Sequence, residues 1–98
     1  MSKFGELIDL SVPVLFNFYA EWNDDSVAMA PVLNDVAAAS GDRAKVIKID
    51  VDKNQELAQA LRIKSLPTLV IYKRGEMLWR QSGELDANTL LGILNEYV

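Results

Sequence analysis

The chain has 98 residues, half of them hydrophobic, and a formal net charge of −4. This length suits one domain with one core, and we predict a single domain over residues 1–98. Cysteine and histidine are both absent, which excludes disulfides, thiol chemistry, zinc sites built from the usual ligands, and Ser-His or Cys-His nucleophiles.

The first half of the chain predicts a helix, a strand and a second helix. Residues 2–10 suit a short amphipathic helix, and the nearly continuous apolar run over residues 12–19 predicts a buried strand. A long helix should run from Asp24 to about Ser40 and stop at Gly41. Its core face is predicted from positions that recur every three or four residues: Met29, Leu33, Val36, Ala37 and Ser40.

The second half predicts two helices and three strands. Residues 44–51 read as a strand, 54–62 as a short helix, and 68–73 with 76–82 as a hairpin joined at Arg74-Gly75. Asp86 is the expected cap of a last helix with an apolar face of Leu90, Leu91, Leu94 and Tyr97. The early βαβ unit implies parallel strands and the hairpin adds antiparallel ones, so we predict an α/β fold with a mixed sheet between helices.

Several stretches in this order resemble the thioredoxin family over nearly the whole chain. They are PVLFNFYAEW (13–22), APVL (30–33), VIKIDVDKN (46–54) and LPTLVIYKRGE (66–76), followed by Gly83. The resemblance implies a thioredoxin fold, with a central four-stranded mixed sheet and helices on both faces. The N-terminal strand of the usual thioredoxin has no counterpart here, so we expect the strand over 44–51 to be an exposed edge.

The resemblance also implies where the redox chemistry of the family would lie. In thioredoxins the turn after the Trp reads Cys-Gly-Pro-Cys, and the matching positions are Asn23, Asp24, Asp25 and Ser26. The buried acid that assists proton transfer in the family corresponds to Asn17. Disulfide exchange needs a thiolate, so we expect no catalytic residue, no cofactor and no enzyme activity. The alternative is a redox-active member whose cysteines have been replaced in this chain.

The residues at these positions have simpler structural interpretations. We expect Asn17 to be a hydrogen-bonded core amide, with Lys48 as one candidate partner. Ser26 has no base to activate it and is interpreted as a first-turn helix residue. Asp24 and Asp25 are expected to cap the helix amides and to suit its positive end. No metal-ligand spacing is present, so no metal site is predicted.

The predicted binding residues are what remains of the family's substrate face. Trp22 matches an exposed indole of the family. It is expected either to contact a partner or to pack on the neighbouring loop. Leu66 and Pro67 resemble the cis-proline loop, whose backbone pairs with an extended peptide in the family. Gly83 would form the far wall. Asp24 and Asp25 complete the predicted set.

The expected partner is a protein or an extended peptide, bound noncovalently and favoured if basic, because Glu21 adds to the acidic turn. Scattered basic residues argue against nucleic acid, and no segment has the roughly 20 apolar residues of a membrane span. The N-terminus lacks the apolar region of a signal peptide, so the cytoplasm is the expected location. We expect a monomer, with a weak homodimer through the 44–51 edge as the alternative, although Lys45 and Lys48 discourage edge pairing.

Overall fold

The computed structural model describes residues 2–98, and its helices and strands follow the predicted order. Their bounds are α1 Ser2–Ile8, β1 Val14–Tyr19, α2 Asp24–Ser40, β2 Lys45–Asp50, α3 Gln55–Ala60, β3 Thr68–Lys73, β4 Glu76–Ser82 and α4 Ala87–Asn95. A short 3-10 helix, Gly41–Arg43, connects α2 to β2. None of the helices within residues 2–98 is long and apolar enough to cross a membrane.

The four strands form one mixed sheet in the order β2-β1-β3-β4. β1 pairs with β2 in parallel and with β3 antiparallel, and β3 pairs antiparallel with β4. The predicted four-stranded mixed sheet is confirmed. The described part of the chain begins with α1, and β2 lies at the edge of the sheet, as expected.

Two hydrophobic clusters lie on opposite faces of the sheet, because alternate residues of a strand point to opposite sides. On one face, Leu15 packs with residues of α2 and α4, including Leu33 and Leu90. On the other, Phe16 packs with Phe4 of α1 and with Leu57 of α3. Helices therefore cover both faces, as predicted, and the central strand β1 is almost completely buried.

The hairpin turn at Arg74-Gly75 also holds α1 in place. Both residues have positive φ angles, 53° and 82°, the conformation of a two-residue type I′ turn. Their amides donate to the carbonyls of Leu10 and Ile8 at 2.8 and 2.7 Å. The turn predicted from sequence thus also anchors the end of the first helix through two backbone hydrogen bonds.

Some predicted details are wrong. The core face predicted for α2 is buried at Met29, Leu33, Val36 and Ser40, but its fifth member, Ala37, is exposed. The third helix is shorter than predicted and ends at Ala60. Arg62 has a positive φ of 55°, which no right-handed helix can accommodate.

Candidate functional site

The turn between β1 and α2 is built around Asn23, which caps the helix. The Asn23 Oδ1 accepts a hydrogen bond from the backbone N–H of Ser26 at 2.7 Å. The Ser26 hydroxyl is buried at 3% exposure, and its Oγ accepts from the N–H of Ala20 at 3.3 Å. Both polar side chains are therefore engaged in holding the start of α2, which is the structural role expected for Ser26.

The expectation that Asp24 and Asp25 cap the helix amides is wrong. Both are exposed residues of the first turn of α2, and the cap acceptor is the Asn23 side chain. Their carboxylates still lie at the positive end of the helix dipole. Asn23 is compatible with this role because Asn ranks with Asp and Ser among the best N-cap residues.

The carboxyl of Glu84, in the segment after β4, lies near that of Asp25 in the first turn of α2. The pKa of Glu84 is raised, chiefly by a side-chain hydrogen bond with Asp25, and further by burial and by the Asp25 charge. Glu84 is not among the binding residues predicted from the sequence. The signal available for it was its position next to Gly83, a predicted wall of the binding face.

Trp22 lies on the surface with 69% of its side chain exposed. Its indole N–H donates to the Asp52 Oδ2 at 2.9 Å. This bond holds one edge of the ring against the turn after β2 and leaves most of its surface to solvent. The contact between Trp22 and Asp52 was not predicted, because no local sequence pattern relates two residues that are 30 positions apart.

The loop before β3 lies beside Gly83. The Leu66–Pro67 peptide bond is cis, and the Pro67 carbonyl accepts from the Gly83 N–H at 2.8 Å. Gly83 has a φ of 99°, and a Cβ atom there would meet no atom within 4 Å. The space beside Gly83 is therefore open. Leu66 keeps its backbone N–H and C=O free of hydrogen bonds to the described residues.

These contacts bring most of the predicted binding residues to one end of the sheet. Asp25 lies near Glu84, which follows Gly83, and the Gly83 N–H donates to the Pro67 carbonyl. Trp22 directly precedes the α2 cap. The result is a surface with an exposed indole, free peptide groups and several carboxylates.

Asn17 differs from its prediction as a satisfied core amide. It is 3% exposed, and its Oδ1 has no hydrogen-bond partner among residues 2–98. The Lys48 ammonium does not bond to it, and lies 5.9 Å from the centroid of the Tyr19 ring. Asn17 lines a cleft of about 430 Å³ between α2 and strands β1 and β2, which we call the α2 cleft.

The polar groups at this surface are carboxylates, amides, a hydroxyl and an indole N–H. The chain has no thiol and no imidazole. Within the described residues, no group of three or more Asp or Glu side chains is arranged to hold a metal ion. The hydroxyl of Ser26 and the amide of Asn23 are both used in the helix start.

Comparisons with known sequences point to one family. The sequence profile described as Thioredoxin matches residues 1–96. The chain is 40% identical over 98 residues to a thioredoxin-like protein of Synechocystis, slr0233, covering 99% of this chain and 93% of that protein. It is also 41% identical to thioredoxin Y, chloroplastic, of Oryza sativa, covering 92% of this chain and 54% of the rice protein.

Solved structures give the same result. Chloroplastic thioredoxin z superimposes with a TM-score of 0.87 at 31% identity, covering 98% of this chain and 87% of that one. A mutant thioredoxin from Halobacterium salinarum gives 0.88 at 32% identity, with 99% of this chain and 84% of that one covered. The fold predicted from the sequence motifs is confirmed.

Proposed function

This chain belongs to the thioredoxin family, and we propose that it is a non-catalytic member that binds a protein or an extended peptide noncovalently. One observation carries the proposal. The side chains at the family's two cysteine positions, Asn23 and Ser26, are occupied in the start of α2, while the neighbouring Trp22 indole is 69% exposed.

The absence of redox activity follows from the chemistry of disulfide exchange. The reaction requires a thiolate that attacks a sulfur atom, and this chain has no cysteine. Neither an amide nor a hydroxyl can replace it. In an insulin-reduction assay, we expect the protein to give no activity above the blank. Reduction that depends on its concentration would contradict a non-catalytic role.

The proposed binding surface uses an exposed ring and free backbone groups. An exposed Trp is a frequent anchor of protein interfaces, and the bond to Asp52 reduces the side-chain freedom that binding would remove. The free N–H and C=O of Leu66 can pair with an extended peptide, in the manner of an added strand. The open space beside Gly83 allows the peptide to approach.

The charge of this surface favours a basic partner. Asp24, Asp25 and Glu84 place carboxylates around the start of α2, and Glu21 adds an exposed acidic residue before Trp22. Such charges mainly raise the rate of encounter with a basic partner, and their effect falls as salt screens them. We therefore expect association to slow as ionic strength rises.

The test is affinity capture from a lysate of the native host, followed by titration with the purified partner. Wild type is compared with Trp22→Ala and with Met77→Ala, which truncates another exposed apolar side chain, on β4. An anchor residue contributes about 2 kcal/mol or more, so Trp22→Ala should weaken binding roughly 30-fold. Met77→Ala should bind as wild type does.

A partner that binds Trp22→Ala as tightly as wild type would contradict the proposed surface. Failure to capture any partner would remove the support for a binding module. The alternative, a redox-active member with replaced cysteines, is distinguished by the gene of the native host, whose codons 23 and 26 would then encode cysteine.

We also propose a cytoplasmic location and a monomeric state at low concentration. The rice relative is a chloroplastic protein, so an organelle is the alternative location. Cell fractionation of the native host, with the protein detected by an antibody, tests it. Recovery in an organelle or membrane fraction would contradict the proposal.

A further inference from the structure

We propose that β2 is a self-association site, at which two copies pair their β2 strands antiparallel about a two-fold axis through Ile47. The pairing would join two four-stranded sheets into one continuous sheet. The proposal concerns the open edge of the sheet and uses neither Trp22 nor the loop at Leu66-Pro67, so it does not rest on the proposed function.

The backbone of β2 has donors and acceptors directed to the open edge. The N–H groups of Lys45 and Val51 donate to β1-side carbonyls, of Pro13 and Tyr19, at 3.0 and 2.9 Å. Because backbone groups alternate in direction along a strand, the amides of 47 and 49 also face β1, and those of 46 and 48 face outward. Unpaired strand edges of this kind are templates for another strand.

A cleft borders this edge on each face of the sheet. The α2 cleft is lined by apolar side chains that include Val27, Ala30 and Val46. The other cleft, which we call the α1–α3 cleft, has about 540 Å³ and lies between α1, β2 and α3. Its apolar lining is Phe4, Leu7, Ile47, Ile49 and Leu57. Apolar side chains therefore border the open edge on both faces of the sheet, together with polar ones such as Lys48, which lines both clefts.

The β2 strand of a second copy has the alternation that these clefts require. Ile47 and Ile49 pack on the α1 and α3 face, whereas Val46 packs on the α2 face. A two-fold axis perpendicular to the sheet leaves each face on its own side. The isoleucines of the second copy would thus extend the α1–α3 cleft, and its Val46 the α2 cleft.

Charge and overlap select the axis. Directly opposed residues must point to the same face of the sheet, so the two-fold axis must set one residue opposite its own copy. Within Lys45–Asp50, the paired segment is longest when that residue is Ile47 or Lys48. An axis at Lys48 sets two ammonium groups against each other, which is unfavourable. An axis at Ile47 sets Lys48 against Val46 and Lys45 against Ile49. The Val46 and Lys48 backbones then exchange four hydrogen bonds across the interface.

Engineered cysteines test the register directly, because this chain contains none. At an axis through Ile47, the two copies of that residue form a close pair with Cα atoms about 4.5 Å apart, within the range that a disulfide spans. Ile47→Cys should therefore form covalent dimers on mild oxidation. Ile49→Cys is the matched control, because its two copies are separated by four residues along the strands.

Sedimentation velocity tests the same contact without a disulfide. Lys48→Pro removes an outward N–H while leaving the β1 ladder intact, a substitution that edge strands tolerate. Lys48→Ala is its control, since it loses the side chain but keeps the N–H. By symmetry the proline removes two interface hydrogen bonds, so we expect its dimer dissociation constant to exceed that of the alanine variant about tenfold or more.

The expected result is concentration-dependent dimerisation of wild type and Lys48→Ala, its weakening in Lys48→Pro, and cross-linking of Ile47→Cys alone. Circular dichroism checks that each variant is folded. Wild type that stays monomeric at about millimolar concentration overturns the proposal. So does equal dimerisation of the alanine and proline variants, or cross-linking through Ile49→Cys, which would mean another surface or another register.

Discussion

At the scale of single residues, Asn17 is the position where burial and hydrogen bonding disagree. Its side chain is 3% exposed, and its Oδ1 has no partner in the described part of the chain. An unsatisfied buried polar atom costs about 1–3 kcal/mol. The family's buried acid at this position assists proton transfer to a thiol, and this chain has no thiol. An apolar side chain should therefore be more stable here than the Asn17 amide.

We predict that Asn17→Leu raises the free energy of unfolding by about 1–3 kcal/mol, because it removes the unpaired amide and keeps a similar volume. Urea denaturation measures the change. Asn34→Leu, at an exposed position of α2, is the control and should change stability by no more than about 0.5 kcal/mol. A loss of stability in Asn17→Leu would show that the amide is satisfied in solution.

The Asp25–Glu84 pair predicts a pH dependence. The folded-state pKa of Glu84 is raised by its hydrogen bond to Asp25, by burial and by the Asp25 charge. A carboxyl with a raised pKa binds its proton more tightly in the folded protein than in the unfolded chain. Its contribution to stability is therefore present in acid, and is lost as the pH rises through the raised pKa.

Replacing Glu84 with Gln should remove this loss. We predict that Glu84→Gln is more stable than wild type at neutral pH, and that the difference shrinks as the pH falls below the raised pKa. Thermal unfolding across the acidic range measures it. Glu6→Gln makes the same charge change at an exposed site on α1 and should not show this trend; if it does, the cause is net charge.

At the scale of elements, the start of α2 organises the site. One side chain, Asn23, satisfies the N–H of Ser26, and the Ser26 hydroxyl in turn satisfies the N–H of Ala20. Two residues thus connect the end of β1 to the first turn of the helix. The turn at the positions of the family's cysteines is here part of the hydrogen bonding at the start of the helix.

We predict that Asn23→Ala lowers the free energy of unfolding by about 1 kcal/mol, because the Ser26 N–H loses its acceptor. Asn23→Asp keeps an acceptor at this position and should stay close to wild type. Urea denaturation of the three proteins makes the comparison. Equal loss in both variants would show that the amide N–H₂ of Asn23, and not its oxygen, is the group that matters.

At the scale of the whole molecule, one sheet is shared by two hydrophobic clusters. β1 and β3 contribute to both, through Leu15 and Leu69 on one face and Phe16 and Val70 on the other. Because the same two strands belong to both clusters, loss of packing in one cluster disrupts the strands that support the other. The two faces should therefore unfold together.

We predict a single cooperative transition for residues 1–98. Far-ultraviolet circular dichroism and the near-ultraviolet signal should give the same midpoint, as two-state unfolding requires. Trp79 packs against the α2 and α4 cluster. In the other cluster, the ring centroids of Phe16 and Tyr72 are 5.9 Å apart. The near-ultraviolet signal therefore reports on both faces of the sheet. Separate midpoints would divide the chain into two units.

Features that depend on neighbours along the chain could be predicted from the order of the residues. The apolar run of β1 predicts a strand buried on both faces, and periodicity predicts α2 from Asp24 to Ser40. The glycine at Arg74-Gly75 predicts a tight turn. Asp86 is placed as the α4 cap, where its carboxylate accepts from Thr89 at 2.7 Å. Each of these follows from local geometry that a few adjacent residues impose.

Contacts between residues far apart in sequence depended on the packing of the helices and strands. The fold brings the Trp22 indole to Asp52 and Glu84 near Asp25, and it leaves the Asn17 oxygen without a partner among residues 2–98. Sequence patterns specify which face a side chain takes, because that depends on backbone period. They do not specify the distance between two faces or loops, because that is set by how whole helices and strands pack against one another.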